Sequence, residues 1–244
     1  MSRNPDPLPR PLAPRYLGAA FLTVVLTSLV SGAATDSATG SGTVDQQVTR
    51  AGHHAGLLHL ACLVGLLNAV GILVLATLLH RVLAVRGRIM AFVGLLCWAG
   101  ESFFYALNQI ATNGLARLAS GLRDADGTGG AGASPDLSLA RFLLTDVHRY
   151  CGTILMFFYC AGGILFYYLF FTSRFLPRWI SGYGLVAASI GLVGACVELL
   201  GHPLGLIPYL AIGPFEIIIG VRLLARGIRS TATVPQPTGC AGAG

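Results

Sequence analysis

Apolar residues run through the chain in six long blocks, 17–34, 55–79, 89–110, 147–171, 182–200 and 204–225, with polar stretches between them. At 1.5 Å rise per residue, about 20 apolar residues span the roughly 30 Å hydrocarbon layer of a bilayer. The pattern therefore predicts an all-α integral membrane bundle of six transmembrane helices. A tail is expected over 1–16 and a flexible one over 230–244, flanking a membrane domain over 17–229. Two connections are long. The first, 35–54, is rich in Ser, Thr and Gly, and the second contains the Gly/Ala/Asp stretch 121–134. Both are expected to be flexible, because they have few apolar residues to bury.

Local signals refine two of the helix starts. Ser134-Pro135-Asp136 reads as an N-cap, a first-turn proline and a first-turn acid, so the fourth helix is expected to begin ahead of the membrane. Leu137, Ala140, Leu144 and Val147 would then form an interfacial stripe. Arg3, Arg10 and Arg15 precede the apolar run 17–30, and Ser31-Gly32-Ala33 follow it. That is also the layout of a cleavable signal peptide, whose removal would leave five helices.

Composition excludes a soluble globule. Hydrophobic residues make up 54% of the chain and charged ones 11%, against about 25% charged in a typical soluble domain. All 16 basic residues are arginine, and Ala and Gly are abundant, a GC-rich coding bias that points to a bacterial source. The net charge of +6 does not indicate nucleic-acid binding, which needs a clustered basic face; these arginines sit in short groups beside the apolar blocks. They give orientation instead. Eleven fall on the side of the two tails and five on the other, while six of the seven aspartates take the opposite side. Both termini are expected in the cytoplasm, across a bacterial cytoplasmic membrane. The six cysteines include no C-x-x-C pair, so neither a disulfide framework nor a zinc ribbon is indicated.

Three glutamates, Glu101, Glu198 and Glu216, lie inside predicted helices. An ionised acid at mid-membrane costs on the order of 3 kcal/mol on insertion scales, so each should face protein, carry a proton or act. At 100° per residue, Tyr105, Asn108 and Thr112 share a face with Glu101, continued towards the cytoplasm by Gly94 and Cys97. Tyr209, Gly213 and Gly220 share one with Glu216, in a helix that Pro208 and Pro214 interrupt. Glu101 and Glu216 each lie about 18 Å from an opposite end of their helices, hence at similar depth, and Asn68 sits near the same level. No arginine is placed to neutralise them. Asn68, Glu101, Tyr105, Asn108 and Glu216 are therefore the candidate intramembrane polar site.

Histidines give a weaker signal. His59, His148 and His202 fall at the outer surface with Glu198, and imidazole with carboxylate is a metal-binding chemistry. His59 and His148 are also formal candidates for haem axial ligands. None of the tight ligand spacings occurs, and no cofactor is predicted. Nucleophile-elbow, P-loop and dinucleotide motifs are absent too, so no catalytic residue is assigned.

The string Phe166-Tyr-Tyr-Leu-Phe-Phe-Thr-Ser-Arg174-Phe-Leu-Pro177-Arg178-Trp179-Ile-Ser181-Gly182-Tyr-Gly184 reads as a helix end, an aromatic belt and a short cytoplasmic turn anchored by Arg174, Pro177, Arg178 and Trp179. It resembles the corresponding turn of a bacterial membrane-protein family known as domain of unknown function 4386. Arg15, Asn68, Glu101-Ser102, Pro214, Glu216 and Arg226-Gly227 resemble that family more loosely, while Glu198 and the outer histidines fall outside its pattern. The resemblance implies about six helices and retention of the first, and it implies no activity.

Three function classes follow. The default is a structural or partner-binding membrane protein whose partners are the bilayer and a second copy or another membrane protein. The alternative is a small proton- or cation-linked transporter using the midplane glutamates, its ligand unknown. A metal or haem membrane enzyme is third.

Overall fold

The computed structural model describes residues 13–126 and 135–226, which are almost wholly helical and include no strand. The elements are α1 (Ala13–Thr39), α2 (Val44–His53), α3 (Ala55–Leu83), α4 (Arg88–Asp126), α5 (Pro135–Phe142), a π-helical turn (Leu143–Val147), α6 (His148–Ser173), α7 (Arg178–Leu199), a 3-10 turn (Ile207–Tyr209) and α8 (Ile212–Arg226). Six spans are long and apolar enough to cross a membrane: Arg15–Thr39, Ala55–Leu83, Arg88–Arg123, Asp136–Ser173, Arg178–Leu199 and Ile207–Ala225.

The spans form a ring. Each packs against the next in chain order, and α8 returns to α1. Closure depends on small residues, since a Cβ at Gly18 would collide with the backbone of Leu224, and one at Gly220 would lie 2.8 Å from Leu22. The start of α1 and the end of α8 thus share one side of the bundle, here the terminal face; the other side is the distal face. Outward positions such as Leu63, Leu67, Phe103, Val186, Ile190 and Val193 remain exposed. An apolar girdle of that extent is incompatible with water and suited to lipid.

On the terminal side the ring is filled. Leu17, Phe21, Leu79, Leu83, Trp98, Phe166, Phe170, Phe215, Ile180 and Leu223 are all at most 2% exposed. Trp98 is the hub of this plug: it stacks on Tyr159 at 5.8 Å and meets Phe166 edge-on at 5.0 Å. Its indole N–H donates to the Tyr159 carbonyl at 3.0 Å. Gly162 makes room for the ring, as a Cβ there would sit 2.5 Å from it.

The first long connection differs from its expectation of flexibility. The first helix continues to Thr39, Gly40 (φ 67°) and Gly42 (φ 135°) turn the chain, and Thr43 then opens α2 with a full capping box. Its hydroxyl accepts from the Gln46 N–H, and the Gln46 side chain accepts from the Thr43 N–H. Val48 and Ala51 bury against Leu58, Leu115, Ala119 and Ala140 in a second apolar cluster on the distal side. The periodicity is helical, but Ser, Thr and Gly at the ends of the segment mask it.

Other boundaries shift as well. Because α1 starts at Ala13, the tail expected over 1–16 is shorter; residues 1–12 and the tail over 230–244 lie outside the described residues. The α4 helix runs to Asp126, so the predicted 121–134 loop loses its first part and 127–134 lie outside the described residues. Pro135 opens α5 as expected, although Ser134 is outside the described set. Of the predicted stripe, Ala140 is buried, and Leu137 and Leu144 pack against the distal cluster. The first helix, α1, supplies Leu17 and Phe21 to the core and closes the ring.

Candidate functional site

Between the terminal plug and the distal cluster the ring encloses a cavity of about 170 Å³. Its wall includes Ser28 from α1, Asn68 from α3, Glu101 and Tyr105 from α4, Tyr159 from α6, and Tyr209 and Glu216 from the last span, interleaved with Val24, Ile72, Leu155, Met156 and Ile212. Four of the five predicted site residues, Asn68, Glu101, Tyr105 and Glu216, thus meet in one chamber. Glu101 is 7% exposed and its Oε2 has no hydrogen-bond partner. Glu216 and Tyr159 line the same chamber, and the Tyr159 hydroxyl is paired with that of Tyr167 at 3.1 Å. Among the described residues, no arginine lines the chamber.

Neighbouring helices hold these groups by polar contacts rather than by charge. The Thr27 hydroxyl donates to Asn68 Oδ1 at 2.7 Å, fixing the amide between α1 and α3. Ser102, next to Glu101, donates to the Ala69 carbonyl at 2.7 Å, and Ser31 to the Ala61 carbonyl at 2.9 Å. Gly65 leaves the space that the Gln109 side chain fills. The small residues that share the Asn68 face therefore seat α1 and α4.

Asn108, the fifth predicted residue, lines a second and larger cavity of about 540 Å³ on the distal side, with His148, Arg149, Thr153, Glu198, Gly205 and Leu206. Leu155, Met156 and Tyr209 belong to the walls of both. The polar stripe of α4 accordingly runs from the inner chamber at Glu101 and Tyr105 to the outer vestibule at Asn108. Thr112 continues it into a small pocket that also touches His148. Tyr209 marks the junction: its hydroxyl donates to Glu198 Oε2 at 3.1 Å, and Thr153 donates to the same oxygen at 3.3 Å.

The expected metal candidates do not assemble. His148 and Glu198 share the vestibule, whereas His59 and His202 line neither cavity, and no group of three or more His, Cys, Asp or Glu side chains able to hold a metal ion is found among the described residues. A helix continued through residue 202 would set His202 on the face of Glu198, four residues earlier. Instead α7 stops at Leu199, where Gly201 (φ 92°) sends its N–H to the Glu198 carbonyl and the His202 N–H reaches the Val197 carbonyl. This is a Schellman stop, and it turns His202 away from the helix face.

The last span also departs from the single 204–225 helix. It is a 3-10 turn followed by α8, and Pro214 occupies the third position of α8. There the missing N–H costs no intrahelical bond, so Pro214 sits in the first turn of a helix rather than interrupting one. The break lies at residues 210–211, where the Tyr183 hydroxyl donates to the Ala211 carbonyl at 2.9 Å. Gly184 receives the Phe215 ring, Gly191 faces Ile212, and Gly194 receives Pro208. The small-residue face of α7 is thus occupied inside the bundle.

These contacts give the turn string a second role. Arg174 is the αL cap of α6 (φ 56°), Pro177 caps α7, and Arg178 lies over the Phe171 ring at 6.0 Å. Trp179 stays 65% exposed, while Leu176 and Ile180 plug the bundle. Tyr183 and Gly184, at the end of the string, then position the break of the last span and Phe215, the residue before Glu216. Sequence reasoning missed that link and the part of Tyr159. The Tyr159 signal, an aromatic amid the aromatic-rich α6, does not stand out from its neighbours.

Fold and site together define a six-span helical membrane protein with two adjoining cavities, the inner one lined by Asn68, Glu101 and Glu216. The chain belongs to the family described as domain of unknown function (DUF4386), which matches residues 16–227 and so includes the first span. Neither the curated proteins nor the solved structures contain a match.

Proposed function

We propose that the protein is a small proton- or cation-linked transporter in which Glu101 and Glu216 form the coupling site. The carrying observation is their convergence on one chamber with Asn68, with Glu101 Oε2 buried and unpaired and, among the described residues, no arginine in the wall. Two acids so placed cannot both hold bare charge at low dielectric cost. A proton or a cation that enters the chamber relieves that cost, and this is the basis of coupling. The broken last span beside the site supports the reading, since interrupted helices serve transporter sites at mid-membrane. The arginine distribution supports a cytoplasmic terminal face in a bacterial cytoplasmic membrane, which makes the vestibule an external entrance.

The test is an imposed pH or sodium gradient across proteoliposomes containing purified protein. Wild type should dissipate the gradient, and Glu101→Gln and Glu216→Gln should abolish this while keeping wild-type membrane yield and thermal stability. A structural or partner-binding protein gives the opposite pattern: equal gradients in all three proteins, with any loss confined to stability or assembly.

A further inference from the structure

We infer that the chamber takes an organic ammonium group, with its alkyl substituents, in preference to a bare metal ion. The inference rests on the cation-linked reading above and specifies the class of ligand. Three tyrosines, Tyr105, Tyr159 and Tyr209, share the wall with the two acids. Aromatic faces attract cations through their quadrupole, and aromatic cages are the common means of recognising alkylated ammonium groups. Glu101, buried and with an unpaired oxygen, supplies the formal negative charge.

The rest of the wall argues the same way. Val24, Ile72, Leu155, Met156 and Ile212 alternate with the polar groups. A divalent metal needs a closed shell of oxygens at short range, and an apolar side chain in that shell is a lost ligand. Alkyl groups on nitrogen instead gain from the same contacts by leaving water. Size agrees: about 170 Å³ is far above the space for one water and below the roughly 300–1,000 Å³ of drug-sized sites. It fits a small head group.

The chamber carries its own reporter, because Trp98 stacks on Tyr159, and the second tryptophan, Trp179, is 65% exposed in the α6–α7 turn. In Trp179→Phe protein in detergent, tetramethylammonium chloride should produce a saturable change in Trp98 emission that equal sodium chloride does not. Equilibrium dialysis of labelled tetramethylammonium should give the matching stoichiometry of one per chain. Glu101→Gln should weaken binding at least about tenfold. Tyr105→Leu should weaken it by about 3- to 30-fold, and Tyr105→Phe, which keeps the ring, by less than about threefold. Absence of binding by both methods, with gradient dissipation by proteoliposomes intact, overturns the ammonium assignment and leaves the transport reading standing. Equal losses in the Phe and Leu variants, each still folded by circular dichroism, overturn the aromatic cage. Loss of binding and of gradient dissipation together removes both.

Discussion

Replacing Gly162 with alanine tests how the plug beneath the chamber is held. The added methyl carbon would lie 2.5 Å from Trp98 Cδ1 and 2.9 Å from its Nε1, well inside contact distance, so the indole must move. Moving it breaks the 3.0 Å bond to the Tyr159 carbonyl and disturbs the stack on the Tyr159 ring. Overpacking of this kind costs about 1–3 kcal/mol. The hydrogen bond adds about 0.6 kcal/mol in a membrane interior, and the aromatic pair about 0.5–1.5 kcal/mol. The expected loss is therefore about 2–5 kcal/mol, read as unfolding free energy by circular dichroism in mixed micelles of detergent and SDS. Trp98→Leu alone should also destabilise, but in its background Gly162→Ala should cost less than about 1 kcal/mol, since the obstructing ring is gone. The coupling energy of the double-mutant cycle should then exceed 1 kcal/mol. Additive losses, or a Gly162→Ala protein within about 0.5 kcal/mol of wild type, would refute the argument that this glycine exists to seat the indole.

Three further outcomes follow from backbone geometry. Gly18→Val should open the α1–α8 contact, because its Cβ would meet the backbone of Leu224 rather than a movable side chain. A loss above about 2 kcal/mol is expected in the same unfolding assay, with α1 and α8 showing the largest rise in hydrogen exchange. Thr43→Ala removes the hydroxyl that accepts from the Gln46 N–H and should cost about 1 kcal/mol, seen as faster amide exchange confined to α2. Gly201→Ala forces a Cβ into a φ of 92° at a cost of about 1–2 kcal/mol. It should speed exchange at the end of α7 and loosen the Glu198–Tyr209 contact, without changing the α1–α8 closure.

How much was legible in the sequence depends on which physical signal each feature rests on. The six spans rest on bilayer thickness and apolar runs, which any reader of the chain can measure. Asn68, Glu101, Tyr105 and Glu216 were legible because an acid or amide in hydrocarbon is costly, and the helical period alone puts Tyr105 on the face of Glu101. Asn108 shares that face but lines the neighbouring cavity. The period fixes angle, whereas the boundary between chamber and vestibule is drawn by Tyr209, Leu155 and Met156 from other helices. The α2 helix was hidden by its polar ends. The stop at Gly201 was hidden because a glycine after an apolar run marks a helix end only when its φ is known. Tyr183 was hidden altogether, since its bond to Ala211 spans 28 residues and no local pattern encodes it.

That last contact links the α6–α7 turn to the chamber. An αL cap at Arg174 and the proline at 177 fix the angle at which α7 enters. The angle in turn sets where Tyr183 and Gly184 stand against the last span. Gly184 seats Phe215, and Glu216 follows immediately. A change in the turn would therefore move an acid in the chamber without touching it. The turn string and Glu216, separate signals along the chain, become parts of one mechanical unit: the first sets the position of the second. By this argument Tyr183→Phe, which keeps the ring and removes only the hydroxyl, should disturb the Glu216 side of the chamber more than the Glu101 side. Glu101 is held through α3 and α4 by Ser102 and Ala69, on the opposite branch of the ring.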